Sequence, residues 1–217
     1  MNRETDRLIK TENVYEHIYL SINQGKILPG DTLTERNIAA KLDVSRTPVR
    51  EAFRKLEQDG IVTFEPYKGI RVMSYTKQEI AHLYSVRGAL EVLSVEICVQ
   101  KENEILINSL NQLIEKAKQA VTENNIIKLR DINSNFHSQI AQYTQNPYLI
   151  STLNNLQTKI DMFMTKSLSN KGRPQKNIEE HQRIIWAIQE KDIELARSLV
   201  KFHIKKSLEN VLYNLDE

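Results

Sequence analysis

Residues 34–72 read TERNIAAKLDVSRTPVREAFRKLEQDGIVTFEPYKGIRV, and their punctuation decides the fold of the amino-terminal third. A short helix fits Thr34 to Leu42, and Asp43-Val44 then turns the chain. Ser45 is suited to cap the next helix, which runs to about Asp59. Pro48 falls in the first turn of that helix, where a missing N–H breaks no helical hydrogen bond. Gly60 ends it as a left-handed cap residue does. Two short runs of strand character follow, 61–64 and 70–73, joined by Glu65-Pro-Tyr-Lys-Gly69, a connection of hairpin size.

Upstream, residues 11–24 place Val14, Ile18 and Ile22 four apart, a helical spacing, before Pro29-Gly30 breaks the pattern. Helix, helix, turn, helix and hairpin make a winged helix-turn-helix, assigned to residues 1–75. Downstream, Thr76-Lys-Gln-Glu79 reads as a capping box that launches a helix to about Val99. Further helices fit 102–123, 125–144, 147–168, 175–190 and 192–214, with breaks at Asn146-Pro147 and Gly172-Arg-Pro174. Residues 76–217 are therefore expected to form an all-α antiparallel helical bundle, and the chain as a whole to be mainly α.

Composition agrees. The chain has 217 residues, 40% hydrophobic and 27% charged, with only 6 Gly and 5 Pro, which favours helices over turns. The single cysteine, Cys98, excludes an intrachain disulfide and points to a reducing compartment; inside a helical pattern it reads as a buried, inert thiol. The polar start MNRETDRLIKTENVYEH has no apolar segment suited to secretion, and no run is long enough to span a bilayer. A cytoplasmic location without membrane association is expected.

A net charge of +2 does not announce a nucleic-acid binder, but its distribution is uneven. Residues 34–55 hold Arg36, Lys41, Arg46, Arg50, Arg54 and Lys55 against Glu35, Asp43 and Glu51, a local excess that suits phosphates. In a helix-turn-helix the second helix enters the major groove with its N-terminal residues at base edges. Arg46 and Arg50, four apart, point to one side of that helix, and an arginine fork can bond guanine O6 and N7 together. Ser45 and Thr47 can bond phosphates or bases, while Val49, Phe53 and Leu56 supply the buried side. The segment resembles the N-terminal domain of GntR-type bacterial regulators almost position for position, most specifically in VSRTPVREA, the following L-x-x-D-G and the glycine of the wing. The resemblance implies DNA contacts for Arg36, Ser45, Arg46, Thr47 and Arg50, with Gly69 at the wing tip in the minor groove.

Of five histidines, His137, His181 and His203 each fall on the apolar stripe of a different helix. A single such histidine is usually a satisfied core residue, but three buried imidazoles are costly unless they share a partner. A divalent metal is the most economical one, zinc or nickel by the preferences of imidazole, and Asn133, four residues before His137, could add a side-chain oxygen. NSNFHSQIAQYTQNPYL and EEHQRIIWAIQEKDIELARSLVKFHI are similar to the FadR C-terminal (FCD) effector domain of one GntR subfamily. That likeness implies a metal held by one Asp and three His; His137, His181 and His203 match the histidines, while Asn133 stands where an Asp is typical. Arg87 and Glu91 continue the inward stripe of the capped helix. They form either a buried pair that fixes packing or, with Arg87 as clamp, a seat for an effector carboxylate, as an arginine in this helix of FCD domains commonly lies by the effector cavity.

The expected protein is a homodimeric DNA-binding regulator, a repressor by preference, reading a palindromic double-stranded operator and answering a small carboxylic acid bound at a divalent metal. The alternatives are a metal-responsive or ligand-free regulator with structural histidines, and a metal-dependent enzyme fused to a DNA-binding module. Against the enzyme, Glu179 and Glu180 are expected to point away from His181, leaving no carboxylate beside the ligands. Trp186 and Phe163 are expected in the core.

Overall fold

A computed structural model describes residues 3–65, 69–101 and 103–215. Two compact units divide at residue 75, Met1–Tyr75 and Thr76–Glu217. In the first, α1 (Arg3–Asn23) packs on α3 (Arg46–Gln58), with α2 (Glu35–Leu42) against α3. Helix α1 begins eight residues ahead of the segment read from the sequence, because residues 3–10 are polar apart from the adjacent, exposed Leu8 and Ile9 and carry no helical apolar spacing.

Local rules account for the turn. Thr34 Oγ1 accepts from the Asn37 N–H at the start of α2. Asp43 takes a left-handed φ of 51° at its end, a conformation that short acidic side chains tolerate. Ser45 occupies the N-cap of α3 without a side-chain capping bond, Pro48 lies in the first turn, and Gly60 has a left-handed φ of 70°. Val49, Ala52, Phe53 and Leu56 are buried on one side of α3.

The sheet has three strands, in the order β1-β3-β2, all pairs antiparallel. The hairpin β2 (Val62–Glu65) and β3 (Gly69–Val72) is the expected wing, whose connection at 66–68 lies outside the described residues. The strand β1 (Thr32–Leu33) is absent from the sequence reading: it is two residues long and sits in what reads as a turn. Gly69 has a φ of 93°, which strains any L side chain there.

The second unit is helical among its described residues: α4 (Lys77–Val99), α5 (Glu104–Thr122), α6 (Ile126–Tyr143), α7 (Pro147–Leu168), α8 (Arg173–Gln189) and α9 (Ile193–Tyr213). The capping box is present in full, with Thr76 and Glu79 each bonding the other's backbone N–H. α4 packs along α9 and α6, and α5 along α6 and α8, so inward faces of α4, α6, α8 and α9 share one interior. Cys98 is fully buried there, and burial pushes its thiol up to about 12, so it is unreactive as expected. Phe163 is buried, but Trp186 is 54% exposed; it lies beyond Ile184 and Ile185 on the solvent side of α8. No helix is long and apolar enough to cross a membrane among the described residues.

Replacing Phe53, 2% exposed between α1 and α3, by alanine is expected to destabilise the first unit by about 3–5 kcal/mol. Melting followed separately in the two units tests this: the 76–217 transition should stay in place while the other moves down.

Candidate functional site

On the first unit, Arg36, Ser45, Arg46, Thr47 and Arg50 are all exposed, as a reading surface requires. They are not equivalent. Arg50 grips Glu35 with its fork, Nε to Oε1 at 2.8 Å and Nη2 to Oε2 at 3.0 Å. That carboxyl is held below the usual carboxylate range by the Arg50 hydrogen bond, with Arg46 and Arg54 adding to it. Sequence spacing made Arg46 and Arg50 a matched pair; the structure gives Arg50 a partner in α2 that spacing along one helix cannot reveal.

On the second unit, α6, α8 and α9 bring His137, His181 and His203 together, all buried, with one ring nitrogen from each lying within 4.8 Å of the others. Their positions follow from the helical repeat: Leu129, Asn133, Phe136, His137 and Ile140 form the inner face of α6, as His181 with Ile178, Ile184 and Ile185 does in α8 and His203 with Val200 and Ile204 in α9. Phe136 stacks on His181 with ring centroids 3.8 Å apart and planes within 3°.

Two carboxylates fix the imidazoles. His137 Nδ1 lies 2.7 Å from Glu91 Oε2, and His203 Nδ1 lies 2.7 Å from Glu180 Oε2. Burial pushes Glu91 up, but Arg87 and His137 outweigh it and hold the carboxyl well below its usual range; Glu180 is likewise lowered, through His203 and Arg173 against burial. Ionised carboxylates accept and cannot donate, so each Nδ1 carries the proton and donates it. Both Nε2 atoms are then bare lone pairs, and they face each other at 3.3 Å. The His181 Nε2 is also buried without a hydrogen-bond partner among the described residues.

Two bare acceptors facing each other, with a third imidazole nitrogen beside them that has no partner among the described residues, fit a cation. Two nitrogens on one zinc lie at most about 4.2 Å apart, which accommodates the 3.3 Å pair. Asn133, 2% exposed, accepts from Asn177 Nδ2 through Oδ1 at 3.0 Å, keeping a second lone pair on that oxygen. Asn177 was not singled out from sequence. Glu180 turns from His181, its neighbour in sequence, as expected, but it bonds His203 on another helix, so the expectation of no carboxylate beside the ligands is wrong. Glu91 appeared in the sequence reading only as a partner of Arg87.

Arg87 is 1% exposed. Its Nε donates to Glu91 Oε1 at 2.5 Å, while Nη1 and Nη2 make no hydrogen bond among the described residues. It lines a cavity of about 20 Å³ with Glu91, His137, Ser138, Asn154 and Gln157, room for about one water.

An exposed winged helix-turn-helix in one unit and a histidine-centred helical bundle in the other are the parts of a DNA-binding regulator. Residues 82–206 match the FCD domain model, and residues 10–72 match that of bacterial regulatory proteins of the gntR family. The chain belongs to the GntR family, FCD subfamily, whose members are transcription regulators and not enzymes. It is 29% identical over 178 residues to the gluconate operon transcriptional repressor of Bacillus subtilis, covering 80% of this chain and 73% of that one. It is 24% identical to the HTH-type transcriptional repressor RspR of Escherichia coli, over 92% and 88% of the two chains. The structure of E. coli McbR/YncC superposes with a TM-score of 0.81 over 95% of this chain and 98% of the other, at 22% identity, a likeness of fold.

The metal-free cluster has a defined acid response. Burial pushes His137 and His181 below the ordinary 6.5; it also lowers His203, to about 4 against the opposing pull of Glu180. The unfolded chain protonates these rings near 6.5 while the folded one does not, so their stabilisation is complete above 6.5 and is lost as pH falls toward about 4. The melting temperature of chelator-treated protein is expected to fall across that window. A flat profile there would show that the rings are not held neutral.

Proposed function

We propose that this protein is a homodimeric repressor whose grip on a palindromic operator is set by a small carboxylic acid bound beside a divalent metal. The observation that carries the switch is the pair of bare Nε2 atoms of His137 and His203 facing at 3.3 Å. His137, His181 and His203 would hold the ion, zinc or nickel by imidazole preference, with Asn133 as a neutral fourth ligand. Bound there, the metal would supply a positive centre for a ligand carboxylate, and the Nη fork of Arg87 a second anchor. The cavity beside Arg87 holds only about one water, so a ligand enters by displacing side chains of α7 and favours whichever population has them withdrawn.

For DNA, Arg36, Ser45, Arg46, Thr47 and Arg50 are the proposed contacts, with Gly69 at the wing. Arg46 is the foremost base reader, since Arg50 must first leave Glu35. One winged helix reads few base pairs, so a symmetric pair on a palindrome is the economical arrangement. The names of the B. subtilis and E. coli relatives support the repressor reading, and action on chromosomal DNA would call for a cytoplasmic protein.

Fluorescence anisotropy on a duplex selected by the protein from random sequence is expected to show Arg46→Ala losing about 1–3 kcal/mol of binding, concentrated on the selected sequence. Equal affinity would remove Arg46 from base reading. For the second unit, elemental analysis should find one zinc or nickel per chain. Chelation should lower the melting temperature, and a screen of small carboxylic acids should raise it only with metal present. Metal-free protein unmoved by zinc or nickel would leave the histidines a structural role alone.

A further inference from the structure

Two arginine–carboxylate–imidazole chains converge on the histidine cluster. In one, Arg87 Nε bonds Glu91 Oε1 at 2.5 Å and Glu91 Oε2 receives His137 Nδ1 at 2.7 Å. In the other, Arg173 Nη1 and Nη2 bond Glu180 at 2.6 and 2.9 Å, and Glu180 Oε2 receives His203 Nδ1 at 2.7 Å. All of these arginines and histidines are less than a tenth exposed.

The chains differ at their outer ends. Arg173 commits both terminal nitrogens to Glu180, which closes that chain into a strut. Arg87 holds Glu91 by Nε alone, and its two terminal nitrogens, the pair that grips a carboxylate fork-on-fork, make no hydrogen bond among the described residues. An anion arriving there shares the guanidinium charge with Glu91 without having to break the Nε bond.

We infer that Glu91 is a positioning residue that couples the anion subsite on Arg87 to the metal-holding nitrogen of His137, while Glu180 steadies His203 and carries no signal. The inference rests on the metal reading above. A carboxylate pulled by a cation at one oxygen offers less charge at the other, and its hold on an imidazole N–H sets how basic the far ring nitrogen is. A second anion on Arg87 relaxes the pull on Oε1, strengthens the Oε2 bond to His137 and makes Nε2 a better donor to a metal. Carboxylate and metal then reinforce each other, and the coupling is reciprocal.

The test is nickel affinity, measured by competition with a chromophoric chelator, in a double-mutant cycle on the full chain. Glu91→Gln and Glu180→Gln should each weaken nickel by about 10–100-fold. Arg87→Gln relieves the pull on Glu91, and its effect on nickel should differ between the native and Glu91→Gln backgrounds by about fivefold or more. Its effect in the Glu180→Gln background should match the native one within about twofold, since the loss of one positive charge is common to both. Additivity of Arg87 with Glu91, or equal coupling to Glu180, overturns the inference while leaving the metal in place. Wild-type protein that binds no nickel instead defeats the metal reading, and the inference with it. Melting scans establish that each variant folds, and Arg87→Met, which also removes the charge, replaces Arg87→Gln in the cycle if the latter does not.

Discussion

Three buried imidazoles set the terms for the whole helical unit. A buried ring nitrogen that loses its water needs a replacement. For His137 and His203 the replacement is a carboxylate, and a buried carboxylate needs cations in turn. The demand passes outward to Arg87 on α4 and Arg173 at the start of α8, each on the same helix as its carboxylate, so sliding α4 against α6 or α8 against α9 would break a carboxylate–imidazole bond. Apolar packing makes these helices associate; the polar chains decide their register. At the inner ends the facing Nε2 atoms of His137 and His203 are left without donors, which is the geometry the proposed metal would satisfy.

The elements legible in the sequence are those written in local rules. Pro48 in a first turn, the Thr76–Glu79 reciprocal cap and left-handed Gly60 each act within four residues, and each stands where the spacing put it. The histidines were legible because a polar residue on an apolar stripe is conspicuous at helical period. What stayed hidden was set by tertiary distance. Residues 180 and 181 diverge by about 100° around a helix, yet both reach the same cluster, one through α9. β1 exists because β3 pairs with it, and two residues carry no period of their own. Trp186 was assigned to the core on size alone, and α8 already fills its inner face with Ile184, Ile185 and Ile188.

On the reading helix, the bond from Arg50 to Glu35 spans two helices of the motif and aligns the guanidinium before DNA arrives. An exposed pair of this kind is worth little to stability. Its effect is on order: a side chain with many rotamers is held in one of them, and the DNA contact proposed for Arg50 would have to displace the half-buried Glu35 carboxylate.

The reciprocal cap at Thr76 lies at the boundary between the two units, and it needs nothing from the preceding 75 residues to form. The first helix of the bundle therefore carries its own starting instruction, written in two side chains three residues apart. A sensing module that begins in this way is portable: recombination can graft it behind a different DNA-reading head without re-deriving where its first helix starts. The same punctuation lets the two halves of the chain diversify at separate rates.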